Sequence, residues 1–265
     1  MSAKRPVVLS FSGHDPSGGA GIQADIETLS SLRCHAASVI TALTEQNSSN
    51  VIKLLPQQAT DIISQANTVL ADFKVACIKI GLIGDLDIAK ALHSLLKQHP
   101  YIPVVLDPVL AAGGGQALAH NDLIQAILEL LLPCTLILTP NSPEARKLAG
   151  QNDLNNAGLA LLKRGCQYVL ITGTHEQHTA AVHNQLFHAE RQLETYTWPR
   201  LPHSYHGSGC TLASAIAGLL SHGLSPTQAV KEAQAYTWQA LNAGYQPGQG
   251  QHLPNRLFWR PEQTL

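Results

Sequence analysis

The chain has 265 residues, 45% of them hydrophobic, and a formal net charge of −1 with only 13% charged residues. That length suits one large α/β domain with a sizeable core, and the near-neutral balance leaves no basic stripe for nucleic acid or for an anionic membrane. No apolar run approaches the roughly 20 residues of a membrane helix, and five widely spaced cysteines without a C-x-x-C pair argue against a zinc ribbon or a disulfide framework. Reduced thiols in a cytoplasmic protein are expected.

Strands and helices alternate along the chain. Residues 7–12, apolar and β-branched after Pro6, read as a buried strand. They lead into the glycine-rich loop Gly13-His14-Asp15-Pro16-Ser17-Gly18-Gly19-Ala20-Gly21, and then a helix over 22–32 with Ile22, Ile26, Leu29 and Leu32 on one face. Strand, glycine loop and helix in that order open a nucleotide- or phosphate-binding unit. A strand over 36–43 ends at Glu45-Gln46-Asn47, followed by an extended piece at 51–55, a helix over 58–70, a strand at 76–80 stopping at Gly81, and a helix over 86–96. The strand at 104–106 ends in Asp107-Pro108; Gly113-Gly114-Gly115 mark a flexible loop, and Asn121 caps a helix running to Leu131.

The strand at 136–138 ends in Thr139-Pro140-Asn141, helices follow at 142–149 and 155–163, and the strand at 168–171 ends in Thr172-Gly173-Thr174-His175. A β-hairpin over 180–198 precedes the last two helices, one starting at the second glycine loop and one over 226–241. The tail over 247–265, rich in Pro, Gly and Gln, is expected to pack loosely. This alternation predicts a single domain spanning 1–265, an α/β fold with a mostly parallel sheet covered by helices on both faces.

The second glycine loop, His206-Gly207-Ser208-Gly209-Cys210-Thr211, opens an apolar helix. Its glycines let a ligand approach the backbone, and the helix start directs unpaired N–H groups and a positive dipole end at an anion. The same field favours the thiolate of Cys210. Polar residues at the ends of the parallel strands, including Asp15, Gln46, Asp107, Asn141, Glu144, Thr172 and His175, should line one edge of the sheet, where open parallel sheets bind ligands. Asp107 and Glu144 are the candidate carboxylates for Mg²⁺ beside phosphates; the alternative for each such residue is to cap the helix that follows. Gly19-Ala20-Gly21-Ile22-Gln23-Ala24 also fits a relaxed dinucleotide fingerprint, with Glu45 placed as the ribose acid, which would make an NAD-dependent oxidoreductase. Asp15 and Asp25 beside those glycines would repel a pyrophosphate.

In order, the loop 13–21 with Ile22-Gln23-Ala24-Asp25, then Thr41-Ala42-Leu43-Thr44-Glu45-Gln46-Asn47, Lys79-Ile80-Gly81, Leu106-Asp107-Pro108-Val109, Thr139-Pro140-Asn141-Ser142-Pro143-Glu144 and His206-Gly207-Ser208-Gly209-Cys210-Thr211-Leu212 resemble the hydroxymethylpyrimidine/phosphomethylpyrimidine kinases of thiamine biosynthesis. The resemblance runs over about 7–241 and implies a three-layer α/β/α ribokinase-like fold carrying a small β-hairpin extension. It implies phosphorylation of 4-amino-5-hydroxymethyl-2-methylpyrimidine by ATP with Mg²⁺, first to the monophosphate and then to the diphosphate.

By the same resemblance, Cys210 is the base and Gly207, Ser208 and Gly209 form the anion hole. Gly13, Asp15, Asp25, Gln46, Leu82 and Val109 contact the pyrimidine. Asn141, Thr172, Gly173, His206, Gly207 and Gly209 contact the nucleotide, and Asp107 and Glu144 hold the metal. The chain departs from the family pattern at Thr172, where many members have Lys, and at Leu82, where many have Met. A pyridoxal-type kinase of the same fold is the alternative, and a homodimer is expected.

Overall fold

The computed structural model describes residues 5–111, 118–176 and 180–260. The loop marked by Gly113, Gly114 and Gly115 lies outside the described residues. One nine-stranded sheet runs through the molecule in the order β3-β2-β1-β4-β5-β6-β7-β8-β9. Its strands are β1 (Val7–His14), β2 (His35–Gln46), β3 (Val51–Pro56), β4 (Val75–Ile80), β5 (Val104–Leu106), β6 (Ile137–Leu138), β7 (Tyr168–Ile171), β8 (Ala181–His188) and β9 (Arg191–Pro199). The strands from β2 to β7 pair in parallel, and β3, β8 and β9 are antiparallel additions at the edges. The expected hairpin is β8–β9, closed at Ala189 and Glu190, both at positive φ.

Helices cover both faces. The α2 (Ala59–Asp72), α3 (Leu86–Gln98), α4 (Asn121–Ala126), α5 (Ser142–Ala149) and α6 (Leu154–Leu162) helices pack on one side, against Leu9, Phe11, Ile78 and Ile80. The α1 (Gly21–Ser31), α7 (Ser208–Ser221) and α8 (Pro226–Asn242) helices pack on the other, against Val8, Cys77, Val105 and Leu170. The helix expected from Asn121 to Leu131 changes character at Ile127, where a π-helical turn (Ile127–Leu131) takes over from α4. Among the described residues no helix is long and apolar enough to cross a membrane, and all five cysteines are free.

Strand periodicity decides what lies beneath α1 and α7. Side chains alternate across a sheet, so Leu9 and Phe11 enter one core while Val8, Ser10 and Ser12 turn to the other face. Cys77 and Lys79 on β4 share that face, and Ile78 and Ile80 take the opposite one.

Two expectations need correction. Strand β2 does not stop before Glu45 but runs through Gln46, because its second half pairs with β3 as an antiparallel arm, Leu43 opposite Leu55 and Glu45 opposite Lys53. The tail is not loose over its described part. Leu253 and Arg256 are buried, Tyr245 and Leu253 exchange backbone hydrogen bonds, and His206 N–H donates to His252 O.

Candidate active site

The two glycine loops meet backbone to backbone. Gly207 has φ +82 and a Cβ there would lie 1.9 Å from Gly19 O; Gly21 has φ +55 and a Cβ would lie 2.1 Å from Gly13 O. Both positions therefore demand glycine on two counts, conformation and contact. The contact sets the first turns of α1 and α7 side by side, with the Gly21 N–H meeting the Cys210 thiol. Neither helix start is capped by a side chain, so two sets of orphan N–H groups and two positive dipole ends face one region. That is an anion site built from backbone. Asp107, at the end of β5, lies beside it: a Cβ on Gly209 would be 3.6 Å from Asp107 Oδ2.

Beneath the loops sits a buried charge network. Asp25 on α1 is fully buried and accepts from Ser10 Oγ at 2.5 Å, Ser12 Oγ at 2.6 Å, Ser214 Oγ of α7 at 2.7 Å and Lys79 Nζ at 2.9 Å. Both carboxylate oxygens are thus engaged, and Lys79 is itself fully buried. Asp25, expected to contact the pyrimidine, uses both carboxylate oxygens to hold β1, β4 and α7 in register beneath the site. Such a pair tolerates burial because every charge is hydrogen-bonded.

The remaining carboxylates are held less completely. Burial pushes the Asp107 carboxyl up to about 6, partly offset by Lys79, and pushes Glu144 up to about 8 with Asp107 adding repulsion. Glu144 accepts from the backbone N–H of Asn141 at 2.9 Å and of Leu110 at 3.2 Å, and Asn141 Oδ1 accepts from Glu144 N at 2.9 Å. Asn141 and Glu144 thus form the capping box of α5. The capping role and the anion-side position coexist, because the box presents the carboxylate toward Leu110 and Asp107. Two buried carboxylates that repel one another are a donor set suited to a hard divalent cation, which Mg²⁺ takes together with water and phosphate oxygens. Among the described residues no cluster of three His, Cys, Asp or Glu side chains could hold a metal by itself.

Cys210 differs from expectation. Burial pushes its thiol up to about 12; Lys79 pulls it down, and Asp107 and Asp25 push it up again. The thiol, not the thiolate, is therefore the form present, and it donates to the Asp107 carboxylate. The helix start alone does not outweigh a buried site shared with two carboxylates.

The loop that follows β1 is shaped by Asp15. Its Oδ1 accepts from Ser17 N and Oγ, and its Oδ2 from Ala20 N and from His206 Nε2 at 2.7 Å. Asp15, expected to contact the pyrimidine, therefore builds the loop. His206, expected to contact the nucleotide, is directed by the same bond toward Asp15 and Gln46. Gly13 and Leu82 do come together, with a Cβ on Gly13 meeting Leu82 Cδ2 at 2.6 Å, and Thr41 Oγ1 donates to Leu82 O. Val109 N–H is taken by Asp107 O at 2.9 Å. At the far end, Thr172 bridges Asn141, and Gly173 N–H donates to Asn184 Oδ1 at 3.0 Å, placing both beside the α5 start.

Ser214 and Arg256 are residues that motif reading missed, and Lys79 stands in a matched motif without a role. Arg256 is 2% exposed; it donates to Gly19 O at 2.5 Å, to Thr211 Oγ1 at 3.0 Å and to Glu27 at 2.9 Å. One guanidinium from the C-terminal segment therefore clamps both glycine loops. Its only sequence signal is that it is one of two arginines in the tail, with Arg260.

Comparison with known proteins decides the family. The family model described as phosphomethylpyrimidine kinase matches residues 15–255. The chain belongs to the phosphomethylpyrimidine kinase family. A hydroxymethylpyrimidine/phosphomethylpyrimidine kinase of Haemophilus influenzae is 34% identical over 252 residues, 92% of this chain and 93% of its own length. One from Salmonella typhimurium is 36% identical over 240 residues, 88% of this chain and 90% of its own. Among solved structures, a pyridoxal kinase from Staphylococcus aureus in complex with AMP-PCP and pyridoxal superposes with a TM-score of 0.88 at 25% identity, covering 98% of this chain and 97% of that one. A phosphomethylpyrimidine kinase from Clostridium difficile superposes with a TM-score of 0.77 at 30% identity, covering 90% and 100%. Membership of a kinase family removes the dinucleotide reading of the first glycine loop, and Glu45 lies exposed on the β2–β3 arm.

Proposed function

We propose that this phosphotransferase moves the γ-phosphoryl group of ATP to the hydroxymethyl oxygen of 4-amino-5-hydroxymethyl-2-methylpyrimidine and then to the resulting monophosphate, supplying the diphosphate for thiamine synthesis. The observation that carries the reading is the junction of the two glycine loops, with Cys210 at its centre and Asp107 beside it. Phosphoryl transfer depends on positioning and charge stabilisation more than on covalent chemistry. The backbone N–H groups of 207–210 take the transferring group. Asp107 and Glu144 are the residues that would hold Mg²⁺ through water, which leaves the Asp107 carboxylate able to take a proton; when bound, the ion neutralises phosphate charge.

For the first step, Cys210 Sγ accepts the proton of the acceptor hydroxyl as its own proton passes along the existing hydrogen bond to Asp107. The second acceptor is an ionised phosphate oxygen and has no proton to give up. Gln46 pairs with the amino-pyrimidine edge, while Gly13 and Leu82 cover the ring.

A cytoplasmic homodimer fits the five free thiols and the exposed Ile52 and Leu55 on edge strand β3. A pyridoxal-type acceptor is the second reading, carried by the superposition on a pyridoxal kinase. Incubation with ATP–Mg²⁺ and each acceptor, with mass detection, separates the two. Mono- and diphosphorylated pyrimidine support the main reading; phosphorylated pyridoxal alone replaces it.

A further inference from the structure

The side-chain amide of Gln46 lies between two fixed partners. One terminus is 2.9 Å from His206 Nε2 and the other is 3.2 Å from Thr44 Oγ1. Which terminus is nitrogen follows from the bonds those partners already make, since nitrogen and oxygen of an amide are distinguished by their network. Burial raises the Asp15 carboxyl, but the bonds from His206 and Ser17 outweigh it and hold Asp15 at about 2, so it is an ionised acceptor. His206 Nε2, at 2.7 Å from Asp15 Oδ2, must therefore carry a proton and donate it. An amide N–H facing that position would oppose donor to donor. At the other terminus, Thr44 has one hydroxyl proton and two contacts that could take it, His14 O at 2.9 Å and Gln46 at 3.2 Å; with the proton on the shorter bond, Thr44 accepts from Gln46.

The His206 end decides the orientation and the Thr44 end accommodates it. Gln46 Oε1 faces His206 and Gln46 Nε2 faces Thr44. The Nε2–H of His206 is then shared between Asp15 Oδ2 and Gln46 Oε1, one Gln46 N–H goes to Thr44 Oγ1, and no two donors are opposed. The amide keeps one lone pair on Oε1 and one proton on Nε2 free, side by side.

We infer that His206, held in its Nε2–H form by Asp15, is a positioning residue that fixes the orientation of the Gln46 amide and so selects an acceptor ring presenting an amino group next to a ring nitrogen. The inference rests on the kinase reading and gives His206 a role in acceptor choice. With the amide fixed, Oε1 takes an amino N–H and Nε2 donates to the neighbouring ring nitrogen. A ring lacking the amino group leaves Oε1 half satisfied, and polar sites reject such ligands because a buried group is left unpaired.

The test uses the full-length protein, His206→Leu and His206→Gln, with calorimetric Kd for the aminopyrimidine and for the same ring without its amino group. His206→Leu should weaken the aminopyrimidine about tenfold, the value of one hydrogen bond, leave the deamino ring unchanged, and leave the KM for ATP unchanged. His206→Gln carries an N–H at similar reach and should restore most of the selectivity. Equal weakening of both rings, no recovery in His206→Gln, or a rise confined to the KM for ATP overturns the inference.

Long-range proton–nitrogen correlation on the wild-type imidazole gives a second reading that survives misfolding of a variant: the Nε2–H form is expected, and the Nδ1–H form overturns it. Failure of the wild type to turn over any pyrimidine would defeat the kinase reading, while the binding ratio and the imidazole spectrum would still decide this one.

Discussion

Cys210 and Lys79 occupy the same buried pocket of charge, and their substitution should have opposite signatures. Cys210→Ala removes the proton acceptor of the first step and leaves the network below intact, so the first phosphorylation should fall by about a hundredfold or more with the melting temperature little changed. Lys79→Met strands Asp25 without its ion partner in a site where both side chains are fully buried. Breaking such a pair costs about 3–5 kcal/mol, which thermal or denaturant unfolding will report; unchanged stability would mean that the pair does not hold the elements together. Asp15 supplies the pH dependence. Its carboxyl is lowered from 3.8 to about 2 in the fold, so the unfolded chain binds the proton more readily. The stability it contributes is complete above about pH 4 and is lost as pH falls toward 2. Asp15→Asn should flatten that acid limb in a pH series of melts. An unchanged limb would place the loss elsewhere.

At the scale of elements, the two glycine loops and the C-terminal segment act as one unit. Gly207→Ala places a methyl group against Gly19 O in a backbone conformation that L side chains rarely adopt, so it should separate the loops and abolish turnover before it unfolds the domain. Arg256→Met removes the clamp between Gly19 O and Thr211; the KM for both substrates should rise with a smaller loss in kcat, and steady-state kinetics will read the split. Much of this architecture was legible in the residues. Short apolar runs located the strands, and glycine loops marked the starts of α1 and α7.

What was not legible depended on distance in the chain. Asp25 stands in its motif as a pyrimidine contact, and its neighbours in the chain do not show that β1, β4 and α7 bring Ser12, Lys79 and Ser214 to it. Arg256 sits 237 positions from the carbonyl it holds, in a tail whose composition suggested looseness. The thiolate expected of Cys210 followed from the helix start alone; burial and the neighbouring carboxylates, which spacing does not reveal, reversed it.

For the molecule as a whole, the sheet carries its ligand-facing groups at the ends of its parallel strands and leaves β3 as an antiparallel edge with Ile52 and Leu55 exposed. The central claim is that phosphoryl transfer occurs where the two helix starts converge, with Cys210 serving only the acceptor that carries a proton. Single-turnover mass detection of the pyrimidine monophosphate and diphosphate, in wild type and in Cys210→Ala, tests it most directly. Wild type should give both products, and the variant a first step slowed by about a hundredfold or more beside a second step that is nearly preserved. Equal losses in both steps would contradict it.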